Sequence, residues 1–406
     1  MQHDILTLST DKAEMKAQGN RITSLQTQKI QKSAARIFKN GQIFSSAVVG
    51  ATTSEILLEK AERPGNMGIS YDYELPKTAA LLSHLSPKQA REMKLAAFKS
   101  FFEDLCKDYP QLNFSGRFAV EKLESSFKSS YTGTLESSGE KNEGYLLYKR
   151  FGSTDFAEGF FNLDGETPDF VEIRKKYEPI LQAVSLTSSI ESKKMPVLIF
   201  DYDDIIQRIT KDIKPSKFHG KSSYLSGKLG DSFFSSQVTL KDLSFDPEKG
   251  FFDRFDGEGV LHENPTVFDK GVFTNVLYDL RQAKKSGKQS TGNGRRYFDT
   301  GINCVPHNLT LMAGQAKAWD MIKDIPECLV LVASYGGSIS EQWEFSNPVQ
   351  VGMLFRHGKA VGRVPSVSVK GMMKDILGKD LIGISSDTYS FTQSPAILTQ
   401  LEVISH

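Results

Sequence analysis

Short apolar runs broken by turn-forming pairs set the pattern of the first part of the chain. Residues 21–31 and 33–39 carry strand-like runs, and Asn40-Gly41 separates the apolar runs 35–38 and 43–48. Asn-Gly in that setting predicts a hairpin, because both residues accept the positive φ that tight hairpin turns need. Thr52-Thr53-Ser54-Glu55 has capping-box spacing with Thr52 as N-cap; the helix it starts should run to about Arg63, where Pro64-Gly65 stops it. Ser86-Pro87 predicts the start of a longer helix, with Pro at the first helical position. Ala90, Met93, Ala97, Phe101 and Leu105 recur at helical spacing and mark its buried face, and Asp108-Tyr109-Pro110 ends it.

From 113 to 161 the pattern changes to short strand runs, 145–148 and 156–161 among them, and to Ser/Gly-rich turns such as 129–141. Residues 169–185 predict a helix with Val171, Ile173, Tyr177, Ile180, Leu181 and Val184 near one side, kinked or split at Pro179. The polar stretch 188–194 precedes Pro196-Val197-Leu198-Ile199-Phe200, a buried strand, and sets a domain boundary near 190. Further on, 329–333 reads as a strand, Lys270-Gly271 and His357-Gly358 as hairpin turns, and Asp279 and Gly287 as the two caps of a short helix. The class is α+β: a helix-containing N-terminal α/β region over 1–190, with room for two subdomains, then a C-terminal domain over 191–406 dominated by antiparallel β-sheet.

Length and composition narrow the functional classes. The 406 residues suffice for two or three domains, and 39% hydrophobic residues with 27 Phe supply sizeable cores. A net charge of +1 argues against an electrostatic drive toward nucleic acid or an acidic membrane surface. The first 20 residues are polar without an apolar signal core, and no apolar run approaches the roughly 20 residues that span a bilayer. Cys106, Cys304 and Cys328 are few and far apart, which speaks against a disulfide framework and for a reducing compartment. The expectation is a cytoplasmic protein.

Candidate chemistry is sparse. The seven histidines form no short-spaced pair, and each reads first as a surface or turn residue; a site assembled by the fold from His219, His262 and His307 is the alternative. Cys304 and Cys328 read as small buried hydrophobes rather than nucleophiles, which need a lowered pKa and a base. Asp256 and Glu258 stand two apart, a spacing that suits acid–base work or a cation. Gly257 and Gly259 favour a tight turn instead, with Asp256 bonding local amides. The loop Gly292-Asn293-Gly294-Arg295-Arg296 can cradle a phosphate or a peptide carboxylate, or be a structural turn whose arginines pair with carboxylates such as Asp256. It is not a P-loop, since no Lys-Ser/Thr follows the last Gly. Residues 343–346 and 335–337 bring aromatic side chains that suit a groove, a core or an interface. Asp256, Glu258, Asn293, Arg295 and Arg296 are the candidates for binding a substrate or partner.

Four motifs in order carry a resemblance: Ser223-Tyr224-Leu225-Ser226-Gly227-Lys228-Leu229-Gly230, Phe255-Asp256-Gly257-Glu258-Gly259-Val260, Ser290-Thr291-Gly292-Asn293-Gly294-Arg295-Arg296, and Asn308-Leu309-Thr310-Leu311 with Gly314. Together they resemble the C-terminal domain of the TldD/PmbA superfamily, once called modulators of DNA gyrase and later linked to peptide proteolysis. The TldD-type branch carries an H-E-x-x-x-H zinc motif just before the first of these elements and a further Cys ligand near the C-terminus. Residues 201–218 here contain no His, Cys or Glu, and no Cys follows Cys328. The resemblance is therefore to the PmbA/TldE branch. It implies no zinc or other cofactor, no catalytic residue, a TldD-like zinc-bearing partner, and an unfolded or leader peptide as the complex's substrate, with a homo-oligomer as another arrangement. Alternatives are an autonomous peptidase with an unrecognised site and a regulator of DNA gyrase.

Overall fold

Four long antiparallel strands, Gln2–Gln18, Arg21–Lys39, Leu112–Ser129 and Leu135–Arg150, form the body of the first large sheet. The computed structural model describes every residue except 64–66, 166–167, 299–300, 335 and 390–393. Gln2–Gln18 lies in the middle, flanked by Arg21–Lys39 and Leu112–Ser129; beyond Arg21–Lys39 come Gln42–Val49 and Ile69–Ser70. Leu81–His84 and Gly159–Asn162 both pair with Leu135–Arg150. The polar first 20 residues thus hold a central strand. Its apolar residues come in two groups, Ile5 to Leu8 and Ala13 to Ala17, with a polar stretch between, so no alternation runs along its whole length. Hydrogen bonding from both sides carries it instead.

Other boundaries shift for similar reasons. Residues 21–39 form one strand rather than two runs. Residues 135–141, expected as a turn, lie in the Leu135–Arg150 strand, where Ser137 is buried and donates to the Phe252 carbonyl. The first helix, Ser54–Ala61, is capped by Thr53 rather than Thr52, with Thr53 Oγ1 accepting from Ile56 N at 3.4 Å. Pro64-Gly65 lies outside the described residues. The long helix begins at Arg91, not at Pro87, and buries Leu95, Phe98, Phe101, Phe102 and Leu105 while Met93 is exposed. The Phe98 and Phe102 stripe outweighs the smaller Ala90–Met93–Ala97 one, since Phe98 stacks on Phe118 at 5.2 Å. Phe170–Ala183 stays one helix through Pro179, because Tyr177, Ile180 and Leu181 are buried on either side of it.

The predicted turns form where the backbone must turn left-handed. Asn40-Gly41 has φ 52 and 70°, Lys270-Gly271 45 and 81°, and His357-Gly358 47 and 70°. Asp279 caps Leu280–Ser286 by accepting from Gln282 N, and Gly287 ends that helix at φ 61°.

The second large sheet closes on itself. Cys328–Ser334, Lys193–Ile199, Pro395–Ser405, Val367–Met372 and Glu344–Arg356 follow one another, and the last pairs back with the first. All five contacts are antiparallel except Cys328–Ser334 with Lys193–Ile199. The architecture is α+β, with helices against largely antiparallel sheets. One apolar cluster joins the two sheets, running from Phe98, Phe118 and Phe161 through Tyr177 to Phe200, Phe355 and Leu398. Tyr177 is its pivot: its hydroxyl donates to the Tyr389 carbonyl at 3.0 Å, and its ring meets that of Tyr389 edge-on. A small sheet, which includes Leu240–Asp242 and Leu309–Leu311, shares the apolar core of the second large sheet, and the hairpin of Gly294–Arg296 with Ile302–Cys304 reaches the first through Arg296 and Asp4. No helix among the described residues is long and apolar enough to cross a membrane.

Candidate functional site

Asp256 explains why its turn is tight. Its Oδ1 accepts from the backbone N–H of Glu258 (2.9 Å) and Val260 (3.0 Å), and its Oδ2 from Gly294 N (2.8 Å). Gly257 N donates to Gly294 O at 2.9 Å, so the turn and the Gly-rich loop are bound backbone to backbone. A Cβ on Gly257 would meet Arg296 Cβ at 2.3 Å, and one on Gly294 would meet Glu258 Oε2 at 2.4 Å. Glycine is required at both by this close approach. The arginines do not pair with Asp256, whose oxygens the amides have taken. The loop is also no surface turn: Asn293 is fully buried, and Gly294–Arg296 is a strand.

Arg296 instead reaches across to the first strand. Asp4, fully buried, accepts from Arg296 Nη1 (2.9 Å), from Arg36 Nη2 (2.6 Å) and Nε, and from the Tyr131 hydroxyl (2.7 Å). Burial alone would raise the Asp4 pKa; the two guanidinium groups and the Tyr131 hydroxyl hold it below the ordinary value. Arg296 is pulled down to about 10 by burial, which Asp4 counteracts and the neighbouring Arg36 reinforces. Glu258 belongs to the same cluster. Its Oε2 accepts from Leu280 N at 2.9 Å, and its Oε1 lies 4.0 Å from Arg36 Nη1. Burial, and then the nearby Asp256, push Glu258 up to about 8. Burial also lifts Asp256, to about 6, but its three amide donors favour the charged form, so Asp256 is the member of the pair that ionises first and Glu258 the one that keeps its proton longer. A cleft of about 510 Å³ opens over Arg36, Glu258 and Arg296.

Arg295 faces the other way, into a second polar cluster. Its Nη1 donates to His307 Nδ1 at 2.7 Å and lies 3.7 Å from Asp253. His307 Nε2 meets the Gly292 carbonyl at 2.9 Å, so that nitrogen carries the proton. The His262 ring lies 4.4 Å from that of His307; its Nδ1 accepts from Asn264 N, so its Nε2–H donates to Asp242 at 2.9 Å. Asp242 also accepts from Asn293 Nδ2 (2.6 Å) and Asn308 N (2.8 Å). Burial would raise Asp242, but His262, His307 and Asn293 hold it low, while burial and Arg295 push His307 down to about 3. His262 and His307 are therefore not surface residues. The fold brings them together, and His219 sits apart, bonded to Tyr278. All four imidazole nitrogens of the pair are engaged, so neither ring offers a lone pair to a metal or a proton.

Residues 201–218, which the resemblance sets against the zinc motif of the TldD branch, hold the helix Asp203–Asp212 and most of the short helix Pro215–His219. Its buried carboxylate, Asp212, is saturated by Arg208 Nε (2.8 Å), Arg208 Nη2 (3.0 Å) and Trp343 Nε1 (2.7 Å). Zinc needs three or four converging imidazole, thiolate or carboxylate donors. No such group of three exists among the described residues, and these helices do not fit zinc. Cys304 Sγ donates to the Leu277 carbonyl, and burial drives its thiol up; burial pushes Cys328 up to about 12. Both are poor nucleophiles. Trp343 is fully buried core, and Tyr335 lies outside the described residues.

Sequence reasoning missed Asp4, Arg36 and Asp242. The available signal was a charge where a buried strand calls for an apolar residue: Arg36 between Ala34 and Phe38, and Asp242 between Leu240 and Leu243.

Similar proteins share this framework. Over its whole length the chain superposes on TldE from Thermococcus kodakarensis, with a TM-score of 0.87 at 17% identity and 97% of that chain covered. A Thermotoga maritima protein described as a candidate modulator of a DNA gyrase superposes over 99% of this chain and 96% of its own, with a TM-score of 0.79 at 21% identity. At such identities the likeness is one of fold. In sequence, 164 residues are 29% identical to a metalloprotease of Archaeoglobus fulgidus, covering 40% of this chain and 38% of that protein. A PmbA homologue of Buchnera aphidicola, also termed a metalloprotease, is 24% identical over 198 residues, 48% of this chain and 42% of its own. The chain thus spans well under half the length of these relatives. Residues 204–405 match the PmbA/TldA metallopeptidase C-terminal domain, and that part of the chain belongs to the PmbA/TldD family.

Proposed function

We propose that this chain is a non-catalytic, PmbA/TldE-like subunit of a zinc-dependent peptide-processing complex, whose metal and general base belong to a TldD-like partner. The observation that carries this reading is the Asp203–Asp212 helix. Where the TldD branch carries its zinc motif, this helix offers no imidazole, and its buried carboxylate is locked by Arg208 and Trp343. Without a metal-bound water the chain has no evident way to generate the nucleophile for amide hydrolysis. The committed imidazoles of His262 and His307 support the same reading. The substrate would be an unfolded or leader peptide, held by pairing with a strand edge and by side chains of the clefts.

The test combines elemental analysis with casein hydrolysis, for the chain alone and mixed with a TldD-type subunit bearing H-E-x-x-x-H. The expected result is no stoichiometric zinc and no hydrolysis alone, with co-elution and chelator-sensitive hydrolysis on mixing. Zinc-dependent hydrolysis by the isolated chain would overturn the proposal.

A further inference from the structure

The cleft over Asp4, Arg36 and Arg296 leaves one buried guanidinium donor of its own without an acceptor. At about 510 Å³ it falls within the roughly 300–1,000 Å³ of pockets that hold small ligands. One wall is a sheet face, with Arg36 on one strand and Ser45 directly across from it on the next. Lys214, Arg281 and Asp279 also line it, the last with its carboxylate accepting from Gln282 N, and Ile43, Ile69 and Tyr73 give it an apolar side. At its floor the two guanidinium groups share the Asp4 carboxylate, and the oxygens of nearby Asp256 are taken by three backbone amides. Arg36 is 5% exposed, and its Nη1 is buried with no hydrogen-bond partner among the described residues. The Glu258 oxygen, at 4.0 Å, is beyond hydrogen-bond reach. A buried charged donor without an acceptor is costly, and an incoming anion removes that cost.

We propose that this cleft binds the free α-carboxylate of a peptide, with Arg36 Nη1 as donor and the Ile43–Ile69–Tyr73 side taking the terminal apolar side chain. The peptide identity rests on the functional reading above; the unmet donor does not. A carboxylate matches one unmet guanidinium donor beside an apolar flank. Phosphate would bring more charge and leave that flank uncovered.

Isothermal titration of the full chain with N-acetyl-leucyl-leucine, with its C-terminal amide and with inorganic phosphate tests the proposal. The acid should bind at least about tenfold tighter than the amide, the change expected for one lost charge-assisted hydrogen bond. Phosphate should not displace it. Replacing Arg36 itself risks the fold, so the variants lie at exposed Ser45. Ser45→Glu places a rival carboxylate opposite Arg36 and should cost the acid at least about tenfold in affinity; Ser45→Gln, equal in size and uncharged, should retain it. Equal binding of acid and amide, binding of neither, displacement by phosphate, or identical behaviour of the two Ser45 variants would each overturn the proposal. The titration needs no partner. A positive result without complex formation overturns only the subunit reading, and a complex with a flat titration overturns only the cleft.

Discussion

The two polar clusters on either side of the Gly-rich loop are built from similar parts and differ in one respect. Around Asp242, the carboxylate oxygens and the nitrogens of His262 and His307 have partners: Asn264, Asn293, Asn308, Arg295 and the Gly292 carbonyl. Around Asp4, the carboxylate is saturated, but a guanidinium nitrogen of Arg36 is not, and a cleft lies beside it. A satisfied network is a fastener that fixes one arrangement of the chain. An unsatisfied one holds a reason to bind something. Histidines, which attract attention first when a sequence is searched for chemistry, are here in the fastener.

The largest effect should come from Asp4→Ala, which strands two buried guanidinium groups. A loss of about 3–5 kcal/mol in chemical denaturation is expected, as when one partner of a buried ion pair is removed. A loss near zero would mean that water already pairs those arginines, and the contrast would collapse. Asp242→Asn strikes the fastener: the new amide group would face donors from His262, Asn293 and Asn308. It should cost about 1–3 kcal/mol and leave titration of the cleft unchanged; weakened carboxylate binding would show that the clusters are not separate in function.

Glu258→Gln sharpens the comparison through pH. Glu258 sits at about 8 in the fold against an ordinary 4.5, raised by burial first and then by Asp256 and Asp279, with Arg36 opposing. Between those values the folded chain holds a proton that the unfolded chain releases, so this group's contribution to stability falls as pH rises. Gln cannot titrate. The stability gap between the variant and the parent should therefore move in favour of the variant from pH 5 to pH 8, by no more than about 1.4 kcal/mol per pH unit. Melting curves of both proteins at several pH values read this directly, and parallel curves would mean that Glu258 is ionised and already neutralises Arg36. Arg295→Ala should be the mildest change. Its side chain is a third exposed, and removing it takes away the donor to His307 Nδ1 and a 3.7 Å contact with Asp253, so a loss of about 0.5–1.5 kcal/mol, the net worth of one hydrogen bond, is expected in denaturation. A cost as large as that of Arg296→Ala would erase the distinction between the two adjacent arginines.

What could be read from the sequence was what neighbouring residues decide. Asn40-Gly41, Lys270-Gly271 and His357-Gly358 form their turns because the need for positive φ is local. Asp279 and Gly287 cap their helix for the same reason. The Asp256 turn followed from its glycines. The first strand was not legible, since its pairing partners, and not its own alternation, make it a strand. The assignment of Arg296 failed because its carboxylate comes from the opposite end of the chain, and no spacing rule connects positions 4 and 296. The α+β class survived these misses because it depends on which elements are present, not on where each one ends.

The Arg296–Asp4 contact also bears on how the chain is made. The two residues are 292 positions apart. At synthesis rates of about 5–20 residues per second, roughly 15–60 s pass between the making of one and the other. During that interval the Gln2–Gln18 strand can pair with Arg21–Lys39, and Asp4 can meet Arg36 across that pair. The socket for Arg296 stays empty and wet until the second half has emerged. The beginning of the chain is thus completed last, and a nascent chain halted before residue 296 should leave its N-terminal strand open to proteases.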